Sequence, residues 1–206
     1  MIKLHRFAKA VAVVILLAGC AEEKLPPQTE IFTDPRDGRN YPTVQIGEQL
    51  WMAKNLAFVS DSSWCYEDNL ADCDENGRLY IWEEACNACP AGWRLATDKD
   101  WIQLEAFLGM AAEELESTRF RGTDQGARLR VGGDTGFNAP ISGYRRPNGS
   151  YDRRGQSSAY WLATDVDSYA AWHRDVRSDT GAIYRSTVPK GYALSARCIK
   201  IEEPRE

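Results

Sequence analysis

The chain is poor in the residues from which metal centres and acid–base sites are made. Its 206 residues include only two histidines, His5 and His173. Structural zinc takes four Cys or His ligands. One Cys-x-x-Cys, at Cys86 and Cys89, has no second such pair to complete it, so no metal site is expected. A long apolar run is missing too. The residues AVAVVILLA at 10–18 fall well short of the roughly 20 that a membrane span needs. Basic excess is absent: 25 Lys and Arg stand against 30 acids, net −5. That total gives no footprint for nucleic acid. Nor does any pair among so many carboxylates stand out for glycoside hydrolysis.

The N-terminal end is distinctive. Residues 1–9 carry Lys3, Arg6 and Lys9 without an acid, the apolar run follows, and Leu17-Ala18-Gly19-Cys20 closes it. A basic start, a short apolar core and small residues before a cut read as a secretory signal over 1–19. Leu-Ala-Gly-Cys resembles the lipobox of bacterial lipoproteins, which implies that Cys20 is diacylated and becomes the mature N-terminus. Several acyl chains on one residue anchor stably, at about 0.8 kcal/mol per buried methylene. Residues 20–28 then form a polar, proline-bearing tether. Ala21, rather than Asp, follows the cysteine, and by the same resemblance this implies the outer membrane, facing the periplasm or the exterior.

Residues 29–206 amount to one domain. Charge is divided unevenly within it. Residues 20–116 hold 7 bases against 20 acids, whereas 117–198 hold 12 arginines and one lysine against seven Asp and no Glu. The two halves can pair across one folded unit, or the arginines can form a face for anionic groups, since guanidinium grips carboxylates bidentately.

Asp37-Gly38 predicts a turn. Residues 41–46 alternate as a half-buried strand, Gly47-Glu48 turns, and 49–52 return, which reads as a hairpin. Cys65 and Cys73 bracket a polar acidic loop. Residues 78–82 (RLYIW) look like a strand. Thr97 is a fair N-cap for a helix through Trp101, Leu104, Phe107 and Leu108, with Asp98 and Asp100 at the positive end of its dipole. Residues 111–115 extend it or form a second short helix. Beyond Ser117, frequent glycines predict loops and short strands, with strand candidates at 159–163, 170–176 and 192–199. The expected fold class is α+β: a small twisted antiparallel sheet, one or two helices and long loops.

Six separated motifs occur in sequence: DGRNYPTVQIGEQLWMAKNL, GRLYIWEEA, CPAGWRLATDKDWIQL, GFNAPISGYRRPNG, AYWLAT and YALSARCIK. Together they resemble the Fibrobacter succinogenes major paralogous domain over residues 34–200, with Ala96 where that family usually has Pro and Ala196 where it has Val. The GW-R-L-x-T helix entry also resembles C-type-lectin-like and formylglycine-generating-enzyme-like domains, implying a lectin-like version of the α+β fold. The family implies an exported, surface-associated protein and leaves activity open.

With Cys20 acylated, five cysteines remain, enough for two bridges and one free thiol in an oxidising compartment. Cys65 and Cys73, eight apart around a hydrophilic loop, are expected to pair. The family resemblance implies a second bond between Cys89 and Cys198, leaving Cys86 over. A redox pair at Cys86 and Cys89 is the rival; against it, Pro90-Ala91-Gly92 denies Cys89 the helix N-terminus at which such thiols are activated. An oxidase of the formylglycine-generating type needs reactive or copper-binding cysteines late in the chain, where only Cys198 stands. His173 and Asp175 share one strand face, and a satisfied surface histidine is the expectation there. The Glu-Pro-Asn, Gln-Pro-Asp and Trp-Asn-Asp triplets of calcium-dependent lectins do not occur, so sugar binding would proceed without calcium.

What remains is GYRRPNGSYDRRG at 143–155. Tyr144, Arg145, Arg146, Asn148, Tyr151 and Asp152 combine rings that can stack on sugars with groups that read hydroxyls and carboxylates. Alternatively, the tyrosines pack inward and the arginines meet the acidic half. The expectation is a lipid-anchored, non-enzymatic surface protein without a cofactor, binding a polysaccharide or a surface protein through this loop. Other readings are an assembly protein docking an acidic partner through its arginines, and a thiol–disulfide enzyme at Cys86 and Cys89.

Overall fold

The computed structural model describes residues 30–201. The signal expected at 1–19 and the tether expected at 20–28, with Cys20, lie outside the described residues. The chain opens with β1 (Ile31–Thr33), β2 (Asn40–Ile46) and β3 (Gln49–Met52). β2 and β3 form the expected hairpin, closed between Ile46 and Gln49. Its first turn residue, Gly47, has φ +61°, as a II′ turn requires.

Next come β4 (Ser63–Trp64), a 3₁₀ turn (Tyr66–Asp68), α1 (Leu70–Asn76) and β5 (Leu79–Tyr80). The expected acidic loop therefore contains a helix. α1 lacks an apolar stripe and buries Asp72, Cys73 and Asn76, so helical periodicity could not reveal it. Asn69 caps it by accepting from the Ala71 amide. The strand expected at 78–82 shrinks to β5, because Trp82 already begins α2 (Trp82–Ala88). This short helix buries two alanines, too weak a pattern to read.

β6 (Trp93–Leu95) and α3 (Asp98–Phe107) follow. Thr97 caps α3 as predicted, in a reciprocal box: its Oγ1 accepts from the Asp100 amide at 3.2 Å, and its own amide donates to Asp100 Oδ2 at 2.6 Å. Gly109, at φ +86°, lies just beyond its end. Residues 111–115 form turns rather than a second helix.

The remaining elements are β7 (Arg119–Arg121), α4 (Gln125–Leu129), β8 (Tyr144–Arg145), β9 (Tyr151–Asp152), β10 (Ser157–Asp165), β11 (Ala170–Arg177), β12 (Ile183–Pro189), β13 (Leu194–Ser195) and β14 (Cys198–Lys200). β12 went unpredicted because Arg185 occupies an inward position and masks the alternation. The single strand expected at 192–199 is two strands in different sheets.

One sheet runs β1-β2-β3-β14-β6, another β4-β5-β13-β10-β11-β12-β7, and β8-β9 is a separate hairpin. The α+β class stands. The small antiparallel sheet is corrected to two larger ones with a parallel β10–β13 pair, and the one or two helices to four α-helices among the described residues. Trp51, Trp101, Phe137 and Tyr160 interlock in one core, with Trp51 and Phe137 centroids 5.5 Å apart. A second core gathers Tyr80, Trp93, Trp161 and Leu194. Cys65 is bonded to Cys73 and Cys89 to Cys198.

Candidate functional site

The 143–155 segment folds into a hairpin with two distinct faces. Tyr144 stands opposite Asp152, and Arg145 opposite Tyr151. Period-two alternation puts Arg145 and Tyr151 on one face. There the Arg145 guanidinium lies 4.2 Å over Trp64, the Tyr151 hydroxyl donates to Asp68 at 2.9 Å, and the Tyr66 and Tyr151 rings are 5.0 Å apart. The backbone is fastened as well: Arg145 N donates to Ala193 O at 2.9 Å and Ala193 N to Arg145 O at 2.8 Å. The rear of the hairpin is thus locked onto the disulfide loop and β13.

The opposite face carries Tyr144, Arg146 and Asp152. Tyr144 pairs with the Tyr192 ring at 6.0 Å, and its hydroxyl lies 3.4 Å from Asp152 Oδ2. Arg146 forms an ion pair with Asp152 and holds that carboxyl below its usual range. Asn148 is at the tip, where its Oδ1 accepts from Ser150 N at 3.0 Å and Ser150 Oγ at 2.8 Å. Of the six residues singled out in sequence, Arg145 and Tyr151 support the hairpin, Asn148 shapes its turn, and Tyr144, Arg146 and Asp152 share the outer face, where Tyr144 and Tyr192 rest half-buried against the second core. Trp64, Tyr66, Asp68 and Tyr192 complete the arrangement from remote positions; only Tyr192 falls within one of the six motifs, YALSARCIK, and nothing in that motif links it to the hairpin.

The family model described as the Fibrobacter succinogenes major domain matches residues 44–200. The chain belongs to that family. No curated protein and no solved structure matches it. In this Fibrobacter succinogenes major domain, the matched span holds both disulfides and the whole hairpin, while the DGRNYP motif precedes it.

Cys86 is a free, half-buried thiol on α2. Burial pushes it up to about 11. It therefore lacks the electropositive exposure of a reactive cysteine, and its neighbour Cys89 is bonded to Cys198.

The two charge halves of the major domain meet inside it. Arg174 donates to Glu105 Oε1 at 2.8 Å and Asp98 Oδ1 at 2.7 Å. Arg121 grips Glu105 with both terminal nitrogens at 2.8 and 2.9 Å. Arg185 holds Asp98 through Nε and Nη2 at 3.0 and 2.7 Å. Burial pushes the Asp98 carboxyl up, yet hydrogen bonds from Arg185 and Arg174 outweigh it and hold it below the usual range. A different device serves Arg197, which is buried with no acid among its partners in the described residues. It donates to Asn55 Oδ1 at 2.6 Å and to Met52 O at 2.9 Å, and lies 4.1 Å over the Phe137 ring.

His173 is not the satisfied surface residue expected. It is 8% exposed, and among the described residues its Nδ1 has no hydrogen-bond partner. Its Nε2 lies 3.6 Å from Asp175 Oδ1. β11 is an interior strand with a core on each side: Ala171, on the His173 face, belongs to the second core and Val176, on the other, to the first, so both of its faces are covered where alternation alone left one open. Among the described residues, no group of three or more His, Cys, Asp and Glu could hold a metal ion.

Proposed function

We propose that this protein is a non-catalytic binding module, lipid-anchored through Cys20 at the cell surface, that engages polysaccharide through the outer face of the 144–152 hairpin. The observation that carries this reading is the division of labour across the hairpin. Its rear face is fixed by Arg145, Tyr151 and the Ala193 backbone, so an ordered platform of Tyr144, Tyr192, Arg146 and Asp152 exists before any ligand arrives. A surface ordered in advance loses less entropy on binding. Aromatic rings offer faces for sugar C–H groups, and the Arg–carboxylate pair offers donors and acceptors side by side. A lectin-like version of the α+β fold belongs to the same proposal, and calcium is not required by it.

The competing readings draw less support. Arginines that would dock an acidic partner are mostly engaged within the domain. The Cys86 thiol is held in its neutral form by burial.

Affinity electrophoresis through gels containing plant cell-wall polysaccharides tests the proposal. Retardation by at least one polysaccharide is expected, weakened about tenfold, or roughly 1.4 kcal/mol, by Tyr144→Ala and by Asp152→Ala. Unchanged mobility in every gel, or retardation indifferent to both variants, overturns it.

A further inference from the structure

Of the twelve arginines between residues 119 and 197, Arg119 alone makes no side-chain hydrogen bond, ion pair or ring contact among the described residues. Its setting is unusual in a second way. Arg119 has φ +68°, a left-handed conformation that is uncommon outside glycine and tends to cluster at binding sites. It stands at the start of β7, the edge strand of the seven-stranded sheet.

Beside it runs a groove of about 470 Å³, lined by Arg119, Phe120, Trp172, Tyr184, Ser186 and Thr187 among others. The groove wraps the sheet edge: the register places Phe120, Tyr184 and Ser186 on one face of the sheet, and Trp172, Thr187 and the uncommitted Arg119 on the other. Phe120 is 49% exposed, and its ring lies 4.9 Å from that of Tyr184, its partner across the β7–β12 ladder. Trp172 is held in place by Arg185, whose guanidinium lies 4.0 Å over the ring while gripping Asp98 from behind. Past Phe120, a further hollow of about 200 Å³ is lined by Arg177, Asp179 and Thr180, with Arg177 and Asp179 paired to each other at 2.8 Å. The opening is elongated, with Phe120 between its two parts.

We infer that this edge groove is a binding site for an anionic polysaccharide that crosses the sheet edge, with Phe120 and Tyr184 meeting a sugar ring on one side, Trp172 a ring on the other, and Arg119 pairing with a ring carboxylate. A planar guanidinium matches a carboxylate bidentately, and aromatic faces suit the apolar faces of pyranoses. The elongated opening suits a linear chain better than a single sugar. The site does not depend on the hairpin. The hairpin packs on β4 and β13, whereas the groove lies at β7 and β12, towards the other edge of the sheet. At about 4.8 Å per strand, the edge strands β4 and β7 are separated by roughly 29 Å.

The test is isothermal titration of the full chain with polygalacturonate and, in parallel, with a neutral β-glucan. Four proteins are compared: wild type, Arg119→Gln, Phe120→Ala, and the hairpin variant Tyr144→Ala/Asp152→Ala. Polygalacturonate binding is expected to survive in the hairpin variant, to fall about tenfold in Arg119→Gln and Phe120→Ala, and to weaken as salt is raised. Both groove residues are exposed, so an unchanged melting temperature shows that the fold is kept. Should Phe120→Ala fail to fold, Arg119→Gln decides. The inference is overturned by absence of polygalacturonate binding, by binding that Arg119→Gln leaves intact, by loss of binding in the hairpin variant, or by equal affinity for the neutral glucan.

Discussion

Cys86 and Arg197 show how much the surroundings of a single residue decide. Cys86 lies three residues before Cys89, a spacing shared by redox pairs, yet burial pushes its thiol up to about 11 from an ordinary 9.0. Two units correspond to about a hundredfold less thiolate at neutral pH. We expect the native protein to react with a disulfide reagent such as DTNB about 100-fold more slowly than an exposed cysteine, with the rate recovering on unfolding. Rapid labelling of the native thiol would restore the redox reading. Arg197 was legible only as part of a strand. It is fully buried, and burial draws its guanidinium down to about 10. Its partners come from residues 52, 55 and 137, so no local pattern could announce them.

Among the elements, those with strong local signals were readable. Gly47-Glu48 between alternating runs gave the β2–β3 hairpin, and Thr97 ahead of two acids gave the start of α3. α1 and α2 were missed because a disulfide, caps and two alanines hold them where an apolar stripe would otherwise be needed. β11 was placed correctly, but its consequence was not. It carries His173 and Asp175 on one face, flanked by β10 and β12. Burial, followed by the Arg174 charge, draws His173 down to about 4 from 6.5. Burial pushes Asp175 up to about 7 from 3.8, with Arg177 and Arg153 opposing.

The two shifts act on stability in opposite directions. His173 contributes stability that is complete above its unfolded value of 6.5 and is lost as pH falls towards 4. Asp175 contributes stability that is greatest below 3.8 and is lost as pH rises towards 7. Between about 4 and 6.5 the slopes largely cancel. We therefore expect Asp175→Asn to lose stability on acidification through that window, and His173→Gln to lose it on alkalinisation. Each trend is measured relative to wild type and is on the order of 3 kcal/mol in full. Melting temperatures recorded at half-unit steps of pH would show it, and parallel curves for all three proteins would refute it.

At the scale of the whole molecule, the charge asymmetry between the two halves was visible in the sequence, and so were both sides of its meaning. The structure brings Asp98 and Glu105 from one half against Arg121, Arg174 and Arg185 from the other. The hairpin's composition was equally visible, whereas the split between its supporting and outward faces depended on Trp64, Tyr66 and Asp68, some 80 residues earlier. The groove at the β7 edge was not legible, because its rings arrive from three strands. The bond from Cys89 to Cys198 spans 109 residues. A closed loop of that length is worth up to about 4.7 kcal/mol in the chain-entropy model. Replacing both cysteines by alanine, which also denies Cys86 a new partner, is expected to lower stability by about 3–5 kcal/mol in denaturant titration. A loss under about 1 kcal/mol would show that packing alone holds β14.

That bond also turns most of the domain into a covalent ring. Every element from β6 to β13, including the hairpin and the groove edge, lies between its two cysteines. A protease that cuts an exposed loop anywhere from residue 90 to residue 197 opens the ring and releases nothing. Two segments stay joined through sulfur, and a nicked molecule runs as one species until a reductant separates the pieces.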